Sequence, residues 1–186
     1  MRMQAIPTTL KNGVEVEIKS ATVGEVGKFL IFLREVYSKA EFLDLNTDEV
    51  AAIKRRAMRR EIKQYEKSKR QIMIVATYEN QIVAYCVVGK VSTKDKESHR
   101  AKLAIAVAKE MRGIGLGSKM MRLAIDFASK VAYEQFEVDL VHGNTQAFIL
   151  YKEYGFEALG KFPRAYKNVK GFYTDTIRLI KYLNLT

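Results

Sequence analysis

The stretch Val107-Ala108-Lys109-Glu110-Met111-Arg112-Gly113-Ile114-Gly115-Leu116-Gly117-Ser118 decides the reading of this sequence. Immediately upstream, Leu103-Ala104-Ile105-Ala106-Val107 is apolar on both faces, as befits a strand in the middle of a sheet. Downstream, Met120, Leu123, Ala124, Phe127 and Val131 recur three or four apart, the stripe of an amphipathic helix. Alternating glycines therefore join a central strand to a helix. The first turn of a helix leaves about four N–H donors unpaired and carries roughly half a positive charge, so this corner suits an anion such as a pyrophosphate, with Arg112 as a neighbouring cation. Two phosphate-loop patterns are excluded. Walker A requires Lys-Ser/Thr after its last glycine, whereas Gly117 is followed by Ser118-Lys119, and the dinucleotide fingerprint requires G-x-G-x-x-G spacing.

Working outward from the corner, residues 14–18 alternate apolar with charged side chains, as a half-buried strand does. Val26, Phe29, Leu30, Leu33 and Val36 then mark a helix. A loop with Glu41, Phe42, Leu43 and Asp44 leads to Asn46, which with Glu49 has the spacing of a capping box. A second helix is expected from there to about Arg70, with Val50, Ile53, Ala57, Ile62 and Tyr65 as its buried stripe. Strands over 71–78 and 81–91 flank the tight turn Glu79-Asn80. The central strand covers 101–108. Beyond the glycines and their helix come a strand at 136–141, a short helix at 145–154 and strands at 156–162 and 172–182. No repeat or linker divides the chain, so one domain over residues 1–186 is expected.

Composition narrows the function. The 186 residues hold 32 Lys and Arg against 21 Asp and Glu, a net charge of +11, which favours an anionic partner without fixing which. Cys86 is the one cysteine and there are two histidines, so neither a disulfide framework nor a Cys/His metal cluster can be built; no metal is expected. Cys86 sits in an apolar strand and reads as core rather than as a nucleophile. The sequence starts without an apolar segment behind Arg2 and has no run of about 18 apolar residues, so a soluble cytoplasmic protein with no membrane partner is expected. Between Lys54 and Arg70 stand nine cations against Glu61 and Glu66. No nucleic-acid reading motif accompanies them; a solvated helix face is the favoured reading, and nucleic acid is not the expected partner.

The glycine corner resembles the acyl-CoA-binding motif of the GNAT superfamily of N-acetyltransferases, Gln/Arg-x-x-Gly-x-Gly/Ala, with Arg112, Gly115 and Gly117 at the matching positions. Downstream, Asn144-x-x-Ala147-x-x-Leu150-Tyr151-x-x-Tyr154-Gly155-Phe156 is similar to the superfamily's N-x-x-A-x-x-L-Y-x-K-x-G-F element, with Glu153 in place of the lysine. The resemblance implies an α/β fold: a mixed, mostly antiparallel sheet of about seven strands with about four helices, in the order β-α-α-β-β-β-α-β-α-β-β. It implies acetyl-CoA as acyl donor and a primary amine, on a small molecule or a protein, as acceptor, joined by direct attack. By the same resemblance Ile105, Ala106 and Val107 would pair with the pantetheine arm. Arg112, Gly113, Ile114, Gly115, Leu116, Gly117 and Ser118 would hold the pyrophosphate. Asn144 and Ala147 would line the cofactor arm, and Tyr151 would protonate the departing thiolate. By itself Tyr151 would read as a packing residue and Asn144 as the N-cap of its helix. Many relatives carry a glutamate as base where this chain has Lys102, which leaves His99, Glu97, His142 or a water relay; Glu41, Asp44 and Asp175 are candidates for an acceptor pocket. Family members are often homodimers. The alternative reading is a non-catalytic module of the same fold that docks nucleic acid or an acidic protein through the basic helix.

Overall fold

Each strand-forming segment pairs with the next along the chain until the glycine corner is reached. The structure, a computed structural model, describes residues 2–38, 47–167 and 171–183. In chain order the elements are β1 (Ile6–Thr9), β2 (Glu15–Ser20), α1 (Val26–Ser38), α2 (Thr47–Ala51), α3 (Arg55–Lys67), β3 (Ile72–Tyr78), β4 (Gln81–Lys90), β5 (Arg100–Val107), α4 (Leu116–Lys130), β6 (Gln135–Val141), α5 (Thr145–Glu153), β7 (Glu157–Lys167) and β8 (Tyr173–Tyr182). The strands form one sheet in the order β1-β2-β3-β4-β5-β6-β8-β7. Every neighbouring pair is antiparallel except β5 and β6. The mostly antiparallel mixed sheet matches the expected class, with eight strands rather than seven and five helices rather than four among the described residues.

The two departures have local causes. β1 is a short edge strand whose lone aliphatic residue, Ile6, is exposed and precedes Pro7, so it carries no alternating signal. The expected helix over 46–70 is two helices, because the chain turns at Ala52 and Ile53, where their amides bond to Asp48 and Val50, without a glycine or proline to mark the break. This shift of phase exposes Ala57 and puts Met58 with Ile62 on the buried side. Residues 41–44 and Asn46 lie outside the described residues.

Two apolar layers fix the sheet. On one face α4 and α5 cover Ile18, Ile74, Cys86, Leu103 and Phe136; on the other α1, α2 and α3 cover Met73, Val75 and Ala106. Period-two alternation along the strands sends neighbouring residues to opposite layers. Glu79 and Asn80 take φ 47° and 64°, as a two-residue hairpin requires, and so set the register of β3 on β4.

Candidate active site

β5 is fully laddered on one side only. Against β4 it pairs without a register shift from Ala101 to Val107. Against β6 it pairs at Arg100, Ala101 and Lys102 alone. From Leu103 onward the strands diverge while β6 stays paired with β8 along its whole length. Ala108 donates its N–H to Val83 O at 2.9 Å. In a continuous antiparallel ladder every second residue bonds to the same neighbour, so Ala106 and Ala104 also face β4. The peptide groups of Leu103, Ile105 and Val107 are turned to the opened edge. Of the three main-chain candidates Ile105, Ala106 and Val107, the middle one therefore spends its groups inside the sheet. Arg112 accounts for one of the rest: its Nε donates to Val107 O at 3.0 Å.

The strand ends in the glycine corner, built by two different demands on glycine. Gly115 is the N-cap of α4 with φ +90°, a left-handed conformation that side-chain-bearing residues rarely adopt. Gly117, inside the first turn, is in close quarters: a Cβ there would lie 3.5 Å from Leu150 Cδ2 and 3.9 Å from Val107 Cγ2. The corner, the end of β5 and α5 are thus in mutual contact. Leu116 is wholly buried, Gly113 is exposed, and Ile114 and Ser118 are half-buried. Tyr154 fastens α5 to α4 by donating its hydroxyl to Ser118 O at 2.9 Å. Asn144 caps α5, its side-chain oxygen accepting the amide of half-buried Ala147 at 3.2 Å.

Three cations besides Arg112 border this corner. A cleft of about 360 Å³ is lined by Lys11, Ile114, Gly115, Ser118, Lys119, Arg122 and Tyr154, together with Thr9 and Leu10. Lys11 comes from the turn between β1 and β2, held by its N–H on Ile114 O at 3.1 Å, and its stem crosses Gly115. Lys119 and Arg122 stand three apart on α4 and so share a face. The helical spacing of these two was legible; the approach of Lys11, from a separate edge of the sheet, had no local signal.

Tyr151 is 3% exposed and its ring meets Phe156 edge-on at 5.4 Å. Burial, with smaller contributions from Cys86 and Tyr85, pushes its phenol well above the ordinary tyrosine value, so it is protonated at any physiological pH. Cys86, which pairs with Ile105 across the ladder, is likewise pushed up by burial and is an inert thiol.

The proposed bases are dispersed. His99 and Glu97 precede the far end of β5, about 20 Å along the strand from Ile105 at roughly 3.3 Å per residue, and Glu97 pairs with Arg100 at 3.8 Å. His142 is exposed beyond β6, with its N–H on Asp175 O. Asp175 is engaged by Lys161 at 2.7 Å and by the amide of Arg164 at 2.7 Å.

Lys102 bridges the two diverging strands. Its ammonium lies 3.1 Å from Asp139 of β6, which also takes both arms of Arg178 at 2.8 and 3.0 Å. Burial works to raise the Asp139 pKa, but hydrogen bonds from Arg178 and Lys102 outweigh it and hold the carboxyl below the usual range. Asp139 is therefore an anion with two partners rather than a base. A depressed native pKa adds stability above the unfolded value of about 3.9, and that stability is lost as pH falls through the lower native value. Asp139→Asn is expected to lower the melting temperature by a few degrees at pH 7, with the deficit shrinking toward pH 2; thermal melts across that range check it.

Residues 36–156 match the family model described as the Acetyltransferase (GNAT) family. No curated protein sequence matches the chain. Among solved structures, an acetyltransferase of the GNAT family from Streptococcus pneumoniae superposes with a TM-score of 0.84 at 20% identity, covering 91% of this chain and 99% of that one. A ribosomal-protein-alanine N-acetyltransferase from Brucella melitensis gives 0.79 at 20% identity, with 89% and 99% covered. A phosphinothricin acetyltransferase from Sinorhizobium meliloti, in complex with acetyl-CoA, gives 0.80 at 14% identity, with 95% and 90% covered.

Proposed function

From the premise that this chain belongs to the GNAT acetyltransferase family, we propose that it moves the acetyl group of acetyl-CoA to a primary amine by direct attack within a ternary complex, the whole chain serving as one catalytic domain. The observation that carries this reading is the opened edge of β5 running straight into the glycine corner, which α5, the helix of Tyr151, touches through Leu150 and Tyr154. Amides over residues 113–118 take the pyrophosphate; Lys11, Lys119 and Arg122 line the cleft beside them and supply positive charge, with Arg112 at the start of the loop. Main-chain groups of Ile105 and the N–H of Val107, whose carbonyl is taken by Arg112, pair with the amides of the pantetheine arm, with Asn144 and Ala147 on the opposite wall. Acetyl-CoA supplies the electrophile, a thioester carbon.

The remaining steps belong to the chain. An N–H on the free edge of β5 points to where charge grows on the carbonyl oxygen, and such preoriented donors cost no reorganisation. Tyr151 gives its proton to the sulfur. Its raised pKa does not defeat that role, because the burial that weakens the phenol as an acid also strengthens the thiolate beside it as a base. The amine proton leaves through water, since Glu97 is engaged by Arg100, His99 precedes the far end of β5 and His142 is exposed beyond β6.

Thermal melting with acetyl-CoA tests the cofactor half of this reading. A ligand at about 100 times its dissociation constant stabilises by about 2.7 kcal/mol, worth roughly 5–10 °C in a chain of this size. No shift at millimolar acetyl-CoA overturns it. Thiol release in the presence of polyamines, amino acids, aminoglycosides and peptides then identifies the acceptor class.

A further inference from the structure

We propose that the outer face of α3 is a docking ridge for the phosphate backbone of nucleic acid, bound without regard to base sequence. At 100° per residue, Arg56, Arg59, Arg60, Lys63 and Lys67 fall within about 60° of one line along the helix, while buried Met58 and Ile62 lie about 160° and 120° round from it. All five are exposed, and none forms an ion pair with a described carboxylate. The helix's two acids stand off the ridge: Glu61 lies about 140° round from Arg56, and Glu66, about 80° round on the other side, is taken by Arg2 at 2.8 Å. The ridge is about 16 Å long at 1.5 Å per residue.

A merely solvated face does not call for this arrangement. The five cations contain five same-sign neighbours at i, i+3 or i, i+4 spacing, each of which destabilises the helix, whereas interspersed acids would stabilise it. An unscreened row of Arg and Lys does suit a polyanion, where neutralising phosphates releases counterions. The chemistry also separates the polyanions. The apolar stripe of α3 is buried under the helix, so no apolar face is left to enter a membrane. The ridge carries no exposed aromatic or aliphatic side chain, which a protein partner would need as an anchor. The structure thereby reverses the weighting that composition alone gave this segment, because it shows the charges gathered into one unpaired line.

Fluorescence anisotropy with a labelled mixed-sequence duplex of about 25 base pairs, and with a single-stranded RNA of the same length, tests the proposal on the full chain. Micromolar binding is expected at about 50 mM salt. Five neutralised phosphates give a log–log salt slope of about −4.5 on duplex and about −3.5 on single strands, so duplex affinity falls about 500-fold by 200 mM. The double variant Arg59→Glu/Lys63→Glu alters exposed side chains without a described ion-pair partner, and it is expected to weaken binding at least tenfold. Its stabilisation by acetyl-CoA should equal that of the parent, which separates this test from that of the proposed activity. Absence of binding at 50 mM salt, or equal binding by the double variant, overturns the proposal. So does displacement of the probe by polyglutamate or phosphatidylserine vesicles at equal charge concentration, which would mark a protein or membrane surface instead.

Discussion

Gly115→Asp is expected to raise the dissociation constant for acetyl-CoA about 100-fold while the protein still folds. Two effects add. The N-cap of α4 has φ +90°, which aspartate tolerates better than most residues but adopts with strain. The larger effect is electrostatic. A carboxylate about 6 Å from a phosphate, at an effective dielectric constant near 20, costs about 2.8 kcal/mol, close to a factor of 100 in binding. The stem of Lys11, 3.4 Å from the Cβ position, has to yield, but its far end is free to move. Gly115→Ala carries the strain without the charge and is expected to lose far less affinity. Calorimetric titration of both variants separates the contributions, and equal affinity for Gly115→Asp and the parent would remove the corner from the cofactor site.

Tyr151→Phe is expected to lower kcat by two to three orders of magnitude and to leave acetyl-CoA affinity within a factor of two. The change removes one oxygen from a ring that Phe156 holds in place and that is almost fully buried, so the wall of the site keeps its shape. General acid catalysis contributes typically 10²–10⁴-fold. A loss in kcat without a matching loss in affinity is the signature of a group used in the transition state alone. Because the phenol is held protonated, the parent should show no fall in rate near pH 10 attributable to this residue. Unchanged turnover in the variant would assign Tyr151 to packing.

What the sequence disclosed and what it withheld divide by the range of the interactions concerned. The Glu79-Asn80 turn, the glycine corner and the Asn144 cap each depend on a handful of consecutive residues, and each was legible before any coordinates. The stripe of α1 was legible for the same reason: Val26, Phe29, Leu30, Leu33 and Val36 are all buried. The break before α3 was not, because hydrogen bonds from Ala52 and Ile53 rather than a breaking residue make it. β7 runs on to Lys167, past the expected end at 162, because Pro163 and Arg164 (φ 54°) sit in an irregularity on an edge strand, where a missing N–H is tolerated.

The site divides in the same way. Lys102 could be recognised as standing where a base is common, but its pairing with Asp139 comes from a strand far along the chain. Lys11 and the divergence of β5 from β6 also arise only when distant segments meet. The helical spacing of the α3 cations was legible, but that none of the five is paired with a described carboxylate was not.

The short junction of β5 with β6 has a mechanical implication. Among the described residues the β5–β6 ladder is three partners long, reinforced by the amides of Glu134 and Gln135 on His99 O and by two side-chain bridges, Lys102 to Asp139 and Arg100 to Glu137, with the apolar layer under α4 and α5 running beneath both plates. A wedge-shaped gap with so narrow a hinge can widen or tighten without tearing either plate. An occupant of the wedge would touch both plates at once, as a keystone does, and is expected to stiffen their seam.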